Sequence, residues 1–188
     1  MTEDPLPERL VTGLDALSMA LESAEHAWLP TELPPHSEFY SYISFDNAVF
    51  VRTLELVRDL TDGRQFVDVG CGIGTKLVLA HVMGFAVTGI ECREQYAATA
   101  HWVCPDAKIE NADARGYWPY DAFDVVYMYR PILSGEGQEA LDAWIYERAR
   151  PGALLVSDGS FAAQGAELLT GAACERGRGY TLNVWRKP

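Results

Sequence analysis

Positive charge is scarce in this chain: 15 Lys and Arg stand against 27 Asp and Glu, giving a formal net charge of −12 and a pI near 4.7. Polyanions are ordinarily met by a basic field that releases counterions, so this balance argues against nucleic acid and anionic lipid as partners. The densest basic group, Arg176, Arg178, Arg186 and Lys187, reads as the solvated side of an edge strand. Cysteine is sparse as well. Cys71, Cys92, Cys104 and Cys174 form no CxxC pair and stand at no zinc-site spacing from the four scattered histidines, so neither a disulfide framework nor a metal site is expected. Long apolar runs are also missing: charges or glycines interrupt every stretch within about ten residues, where a membrane span needs roughly 20. The acidic start MTEDPLPE lacks the basic region of a signal peptide. These absences together predict a cytoplasmic protein with no membrane partner.

What is present suits one folded unit. The chain has 188 residues, 48% of them hydrophobic and 22% charged, enough for one well-buried core and too few for two domains of ordinary size. A single domain over 1–188 is expected, with a helical N-terminal part (1–62) and a longer alternating part (63–188). Leu10, Leu14, Leu17, Leu21, Ala24 and Trp28 recur at steps of three and four, predicting an amphipathic helix from about Pro7 to Trp28. The proline-rich segment LPTELPPH then predicts a rigid extended connector. FYSYISF leads to Asp46, a candidate N-cap for a second helix that runs through Val49, Leu54 and Val57 to about Leu60. From Gln65 onward short apolar runs alternate with helical stretches. QFVDV, FAVTGIE, AKIENAD, FDVVYMY and ALLVSD read as strands, separated by helices at Thr75–Met83, REQYAATAHWV and EGQEALDAWIYERA. Such alternation predicts a parallel sheet covered by helices on both faces. A last strand, Tyr180 to Arg186, follows too short a connection to be parallel and is expected to join antiparallel, with Glu167 to Ala173 as the best candidate for one further strand.

The stretch DVGCGIG, Asp68 to Gly74, ends the first strand. In a parallel sheet the ligand crevice lies beyond the C-terminal strand ends, where this turn meets the first helix. Glycines serve there for positive φ or for close ligand approach, although a tight connection alone would also explain them. A dinucleotide fingerprint needs G-x-G-x-x-G, and Thr75 stands where its third glycine belongs. A P-loop fails too, because Lys76 follows Thr75 without the required glycine spacing. Three carboxylates instead rim the predicted crevice: Asp68 before the turn, Glu91 at the end of the second strand and Asp113 after the third. Carboxylates repel phosphate and accept from a ribose diol, an exocyclic amine or a cationic group.

These motifs together, DVGCGIG, GIE and NADA, resemble the class I, Rossmann-like S-adenosylmethionine-dependent methyltransferases over roughly Gln65 to Ser160. The resemblance implies an α/β, Rossmann-like doubly wound sheet of seven mostly parallel strands in the order 3-2-1-4-5-7-6, the last antiparallel, behind an N-terminal helical cap. It implies S-adenosylmethionine as the cofactor. Gly70, Cys71, Gly72 and Gly74 would form the turn against its methionine part, with Asp68 contributing to binding. Glu91 would hold the ribose hydroxyls, Cys92 would sit beside the adenine, and Asp113 would face its amino group between Ala112 and Ala114. HSEFYSYISF, His36 to Phe45, lies where such proteins often carry a lid, making Phe39, Tyr40 and Tyr42 candidates to close the site; core packing is the alternative. Tyr40 is counted with the cofactor-binding residues.

The acceptor is a small molecule or a protein side chain, and these stay open. After the fourth strand the chain reads YMYRPI rather than the Asn/Asp-Pro-Pro-aromatic tetrapeptide of base and glutamine N-methylating relatives, which argues against that class. FVDVGCGIGTKLVLA with GIE also resembles the non-SET histone-lysine branch, without that branch's paired asparagines. Methyl transfer needs mainly a positioned nucleophile and a route for its proton. Tyr129 and Arg130 are the candidate catalytic residues, with His36 and Glu38 as further proton acceptors; Arg130 would bind an anionic substrate group or pair with a carboxylate such as Glu136. Alternative readings are a noncatalytic S-adenosylmethionine-binding protein and an NAD-type oxidoreductase.

Overall fold

Period-2 and continuous apolar runs become strands because their β-branched and aromatic side chains fit a pleated surface buried on both faces. The computed structural model describes residues 8–29, 42–117, 119–132, 135–173 and 181–188. The expected connector from Pro30 onward, Cys174, Arg176, Arg178 and the lid candidates His36, Glu38, Phe39 and Tyr40 lie outside the described residues.

The described residues form seven strands: β1 (Gln65–Val69), β2 (Ala86–Glu91), β3 (Lys108–Asn111), β4 (Val125–Met128), β5 (Leu154–Ser157), β6 (Glu167–Ala173) and β7 (Thr181–Arg186). They make one sheet in the order β3-β2-β1-β4-β5-β7-β6. Each neighbouring pair from β3 to β5 is parallel, while β7 runs antiparallel to both β5 and β6. The sheet order and the antiparallel last strand are those the family resemblance implied. Among the described residues five helices accompany it: α1 (Glu8–Trp28), α2 (Asn47–Leu60), α3 (Thr75–Val82), α4 (Glu94–Val103) and α5 (Glu136–Arg148). Short 3₁₀ turns at Ala114–Gly116, Pro119–Ala122 and Ala162–Gln164 fall where the sequence pattern showed no element.

Alternation along each strand divides the core in two. Phe66, Val125, Tyr127, Leu154 and Val156 point to the face covered by α1, α2 and α3, where Leu14, Leu21, Phe50, Leu54 and Leu77 meet them. Val67, Val69, Val126, Met128 and Leu155 point to the opposite face, against Leu141 and Ile145 of α5 and Phe161. At the centre of the first layer Phe50 lies 4.9 Å from Tyr127 and Phe66 lies 5.7 Å from Phe85, centroid to centroid, within the range of favourable ring pairs. Asp46 caps α2 as expected: its carboxylate accepts from the amides of Ala48 and Val49 at 2.9 and 3.0 Å.

Gly89 in β2 is what lets the turn after β1 pack on the sheet. A Cβ there would stand 2.6 Å from Cys71 Sγ and 2.7 Å from Leu77 Cδ1, distances that force neighbours to shift. Gly89→Ala is therefore expected to lower stability by about 1–3 kcal/mol, the usual cost of overpacking a filled core; chemical denaturation monitored by tryptophan fluorescence measures it, and an unchanged midpoint would contradict this packing.

Candidate functional site

The chain leaves β1 into a turn that bends back on β2. The amides of Gly70 and Cys71 both donate to the Ile90 carbonyl, at 2.8 and 3.0 Å, and Gly70, Gly72 and Gly74 all take positive φ (76°, 54° and 84°). Gly72 is pinned from the side. Its amide donates to Oε2 of Glu91 at 3.0 Å, while Oε1 of Glu91 accepts from the Arg93 amide at 2.8 Å and from Cys92 Sγ at 3.6 Å. Glu91 is only 7% exposed. Burial raises its pKa, opposed by the amide donors of Arg93 and Gly72.

Above the turn lies the ring of Tyr42, 2.8 Å from where a Gly72 Cβ would be. Its hydroxyl donates to Glu25 Oε1 and lies 3.3 Å from Thr75 Oγ1. Glu25 also accepts from Ser44 Oγ at 2.5 Å and from Thr75 Oγ1 at 2.9 Å. One buried carboxylate on α1 thus gathers the loop before α2 and the first turn of α3. Beside it Lys76 is buried and donates from Nζ to the Phe45 carbonyl (2.8 Å) and to Asn47 Oδ1 (2.5 Å); burial lowers its pKa. Asp68, at the end of β1, is 3% exposed, and no hydrogen bond to its carboxylate is made by another described residue. Burial drives its pKa up to about 7, with Lys76 holding it down and Glu91 raising it further.

Asp68, Gly70, Cys71, Gly72, Glu91, Cys92, Ala112, Asp113, Ala114, Tyr129 and Arg130 all line one cavity that is partly open to solvent. Gly74 does not line it: a Cβ there would meet Ala100 of α4 at 3.1 Å, so its role is to seat α3 against α4. Tyr40 lies outside the described residues, and Tyr42 is the aromatic found over the turn. The Asp113 carboxylate is engaged by Arg115, through Nε at 3.1 Å and Nη2 at 2.7 Å, and that hydrogen bonding holds its pKa below the usual carboxylate range. Arg130 pairs with Asp158 just after β5, not with Glu136. Tyr129 packs on Phe45 with ring centroids 4.5 Å apart.

The sequence reading missed Glu25, Lys76 and Tyr96 as site residues. A signal existed for the first: Leu14, Ser18, Leu21 and Glu25 are the buried face of α1, and a carboxylate on an apolar stripe needs a buried partner. Lys76 sits one position after a rejected phosphate motif and was read only as part of it. Nothing local marks Tyr96, whose hydroxyl accepts from the Tyr42 amide at 3.2 Å.

No protein-family model and no curated protein sequence matches this chain. Solved structures do. An RNA methyltransferase from Salinibacter ruber in complex with S-adenosyl-L-homocysteine is 21% identical, with a TM-score of 0.64 over 78% of this chain and 94% of that one. Magnesium protoporphyrin IX methyltransferase from Synechocystis, with S-adenosylmethionine bound, is 13% identical, with a TM-score of 0.59 over 97% and 99%. A (4+2)-cyclase is 16% identical, with a TM-score of 0.61 over 100% and 99%. The fold is thus that of the class I, Rossmann-like methyltransferases, and the cyclase shows that this fold carries other chemistry as well. Among the described residues no helix is long and apolar enough to cross a membrane.

The buried Asp68 generates a pH signature. With its folded pKa raised to about 7 against about 3.9 in an unfolded chain, the folded state keeps a proton that the unfolded chain has released. Stability from this group is fully present below about pH 4 and is lost as pH rises through 7. Asp68→Asn is expected to match the parent near pH 4 and to exceed it by about 2–4 kcal/mol at pH 8; urea unfolding at both pH values checks this, and a gap independent of pH would contradict it.

Proposed function

We propose that the chain is an S-adenosylmethionine-dependent methyltransferase. The observation that carries this reading is the buried carboxylate pair at the mouth of the sheet, Asp68 without a donor among the described residues and Glu91 fixed to the glycine turn, both lining one cavity. A carboxylate offers about four lone-pair sites. Glu91 uses one each for the Gly72 amide, the Arg93 amide and Cys92, which leaves capacity for a hydroxyl donor such as a ribose. Asp68 suits a donor or cationic group. Ala112 and Ala114 offer a small apolar wall for a base, while Asp113, held by Arg115, contributes mainly as the cap of its 3₁₀ turn through the Arg115 amide at 2.9 Å.

When bound, this cofactor supplies an electrophilic methyl group on a sulfonium centre. The residues of the chain then have to exclude water and orient a nucleophile. Phe45 and Tyr129, packed on each other just after β4, and Ile132 and Leu141 from the opposite core layer contribute apolar lining to the same cavity. The Tyr129 hydroxyl is placed to accept a hydrogen bond from the acceptor's N–H or O–H and, on taking that proton, to release its own to solvent. An NAD-type reading is disfavoured by Thr75: in place of the third glycine it puts a hydroxyl that is already bonded to Glu25.

Calorimetric titration with S-adenosylmethionine, S-adenosylhomocysteine and NAD tests the proposal. Micromolar binding of the first two and none of NAD is expected. In Glu91→Ala, affinity for S-adenosylhomocysteine is expected to fall by about 1–3 kcal/mol, the cost of removing a charged hydrogen-bond partner. Unchanged affinity would remove Glu91 from the cofactor site, and absence of binding to the parent protein would remove the methyltransferase reading.

A further inference from the structure

The N-terminal helix reaches the glycine turn through one carboxylate. Glu25 lies on the buried face of α1, 3% exposed, and accepts from the hydroxyls of Tyr42, Ser44 and Thr75. A buried carboxylate is costly unless it is bonded, and all three of these donors come from outside its own helix. They differ in where they stand. Tyr42 and Thr75 line the cavity, whereas Ser44 and the described side chains of α1 do not.

Tyr42 is held from several sides. Its hydroxyl donates to Glu25 Oε1, and its amide donates to the Tyr96 hydroxyl at 3.2 Å. Its ring meets the Tyr96 ring edge-on at 6.1 Å between centroids, and two of its ring carbons stand 2.8 Å from where a Gly72 Cβ would be. Burial and the bond to Glu25 raise the pKa of the Tyr42 hydroxyl, so it remains a donor. Thr75 Oγ1 donates to the same oxygen of Glu25 at 2.9 Å. One carboxylate oxygen outside the cavity thus sets two side chains that line it, and it is the charged partner that fixes the angle of the Tyr42 ring over Gly72.

Building on the methyltransferase reading, we infer that Glu25 is a positioning residue for the cofactor. Acting through the Tyr42 hydroxyl, it makes docking of α1 and binding at the glycine turn one linked equilibrium. Such linkage is reciprocal: the factor by which docked α1 raises cofactor affinity is the factor by which bound cofactor favours docking. Helix α1 therefore responds to a ligand that none of its described side chains touches.

The full chain is titrated calorimetrically with S-adenosylhomocysteine, and amide hydrogen exchange over Glu8–Trp28 is followed with and without it. Saturation is expected to slow exchange in α1 by about fivefold or more. Tyr42→Phe keeps the ring and removes the hydroxyl; affinity is expected to fall by about fivefold or more, and the protection of α1 to shrink to within about twofold. Glu25→Gln is expected to lower affinity to a similar extent, and adding it to Tyr42→Phe to cost less than about twofold more. Ser44→Ala removes a donor to the same carboxylate that does not line the cavity; affinity is expected to stay within about twofold of the parent even where unfolding moves to lower denaturant. If Glu25→Gln does not fold, Tyr42→Phe and Ser44→Ala decide the matter. Exchange in α1 that ignores S-adenosylhomocysteine, unchanged affinity in Tyr42→Phe, additive losses in the double variant, or a loss in Ser44→Ala as large as in Tyr42→Phe would overturn the inference and leave Glu25 a structural anchor. Failure of the parent protein to bind S-adenosylhomocysteine would instead overturn the methyltransferase reading beneath it.

Discussion

The hydrogen bond from the Gly72 amide to the Glu91 carboxylate is the constraint on which the site depends. It joins the loop after β1 to the end of β2, strands that are already paired through Val69 and Ile90. The turn is thereby closed from two directions, by the Ile90 carbonyl below and the Glu91 side chain beside it. A charge-assisted bond of this kind is about twice as strong as a neutral one, and here it is sheltered from water. With the turn fixed, Tyr42 has a flat surface on which to rest, and the cavity acquires its shape on that side. A glutamate in this position therefore serves the architecture first. Any ligand it holds meets an acceptor that is already oriented.

The second theme is charge kept from water. Asp68, Glu91, Lys76 and Glu25 are all buried within one neighbourhood, and isolating charges from solvent is expensive unless they are bonded or paired. Glu25 is repaid by three hydroxyls and Lys76 by two oxygens; Asp68 receives no comparable donor from the described residues, and its raised pKa reports the deficit. A residue whose removal should stabilise the empty protein is one retained for another purpose. The N-terminal segment takes part in this arrangement. Glu25 from α1 and Asn47 and Phe45 from the start of α2 supply the groups that satisfy α3, so the helical cap completes the site and does not merely cover it.

Much of this was legible in the sequence, for definite reasons. Strand positions were readable because the sheet is buried on both faces, which leaves nearly unbroken apolar runs such as VVYM and LLVS. Asp46 was readable because N-caps are local. Glu91, Asp68 and the turn were readable because the topology carries every parallel strand end to the same edge. Gly74 looked like part of the ligand turn, yet its neighbour is Ala100, a contact 26 positions away that no local pattern reveals. Arg130 was expected to choose between substrate and a carboxylate on α5; its partner Asp158 follows β5, which is adjacent to β4 only once the sheet order is known. Glu25 was hidden for the same reason, since its three donors come from two later segments.

The glycines of the turn carry one further consequence. Gly70 is approached by Pro131 and Gly72 by Tyr42, so residues of the chain itself, from the loop after β4 and the segment before α2, occupy the space that a side chain would need. The absence of Cβ atoms there is demanded by packing as well as by φ. The turn is thus in direct contact with the loop after β4, through Pro131. Pro131 bears on Gly70, whose amide is bonded to β2. The glycine turn and the loop after β4 are for that reason positioned relative to one another by contacts of a few ångströms, not by the length of a flexible loop.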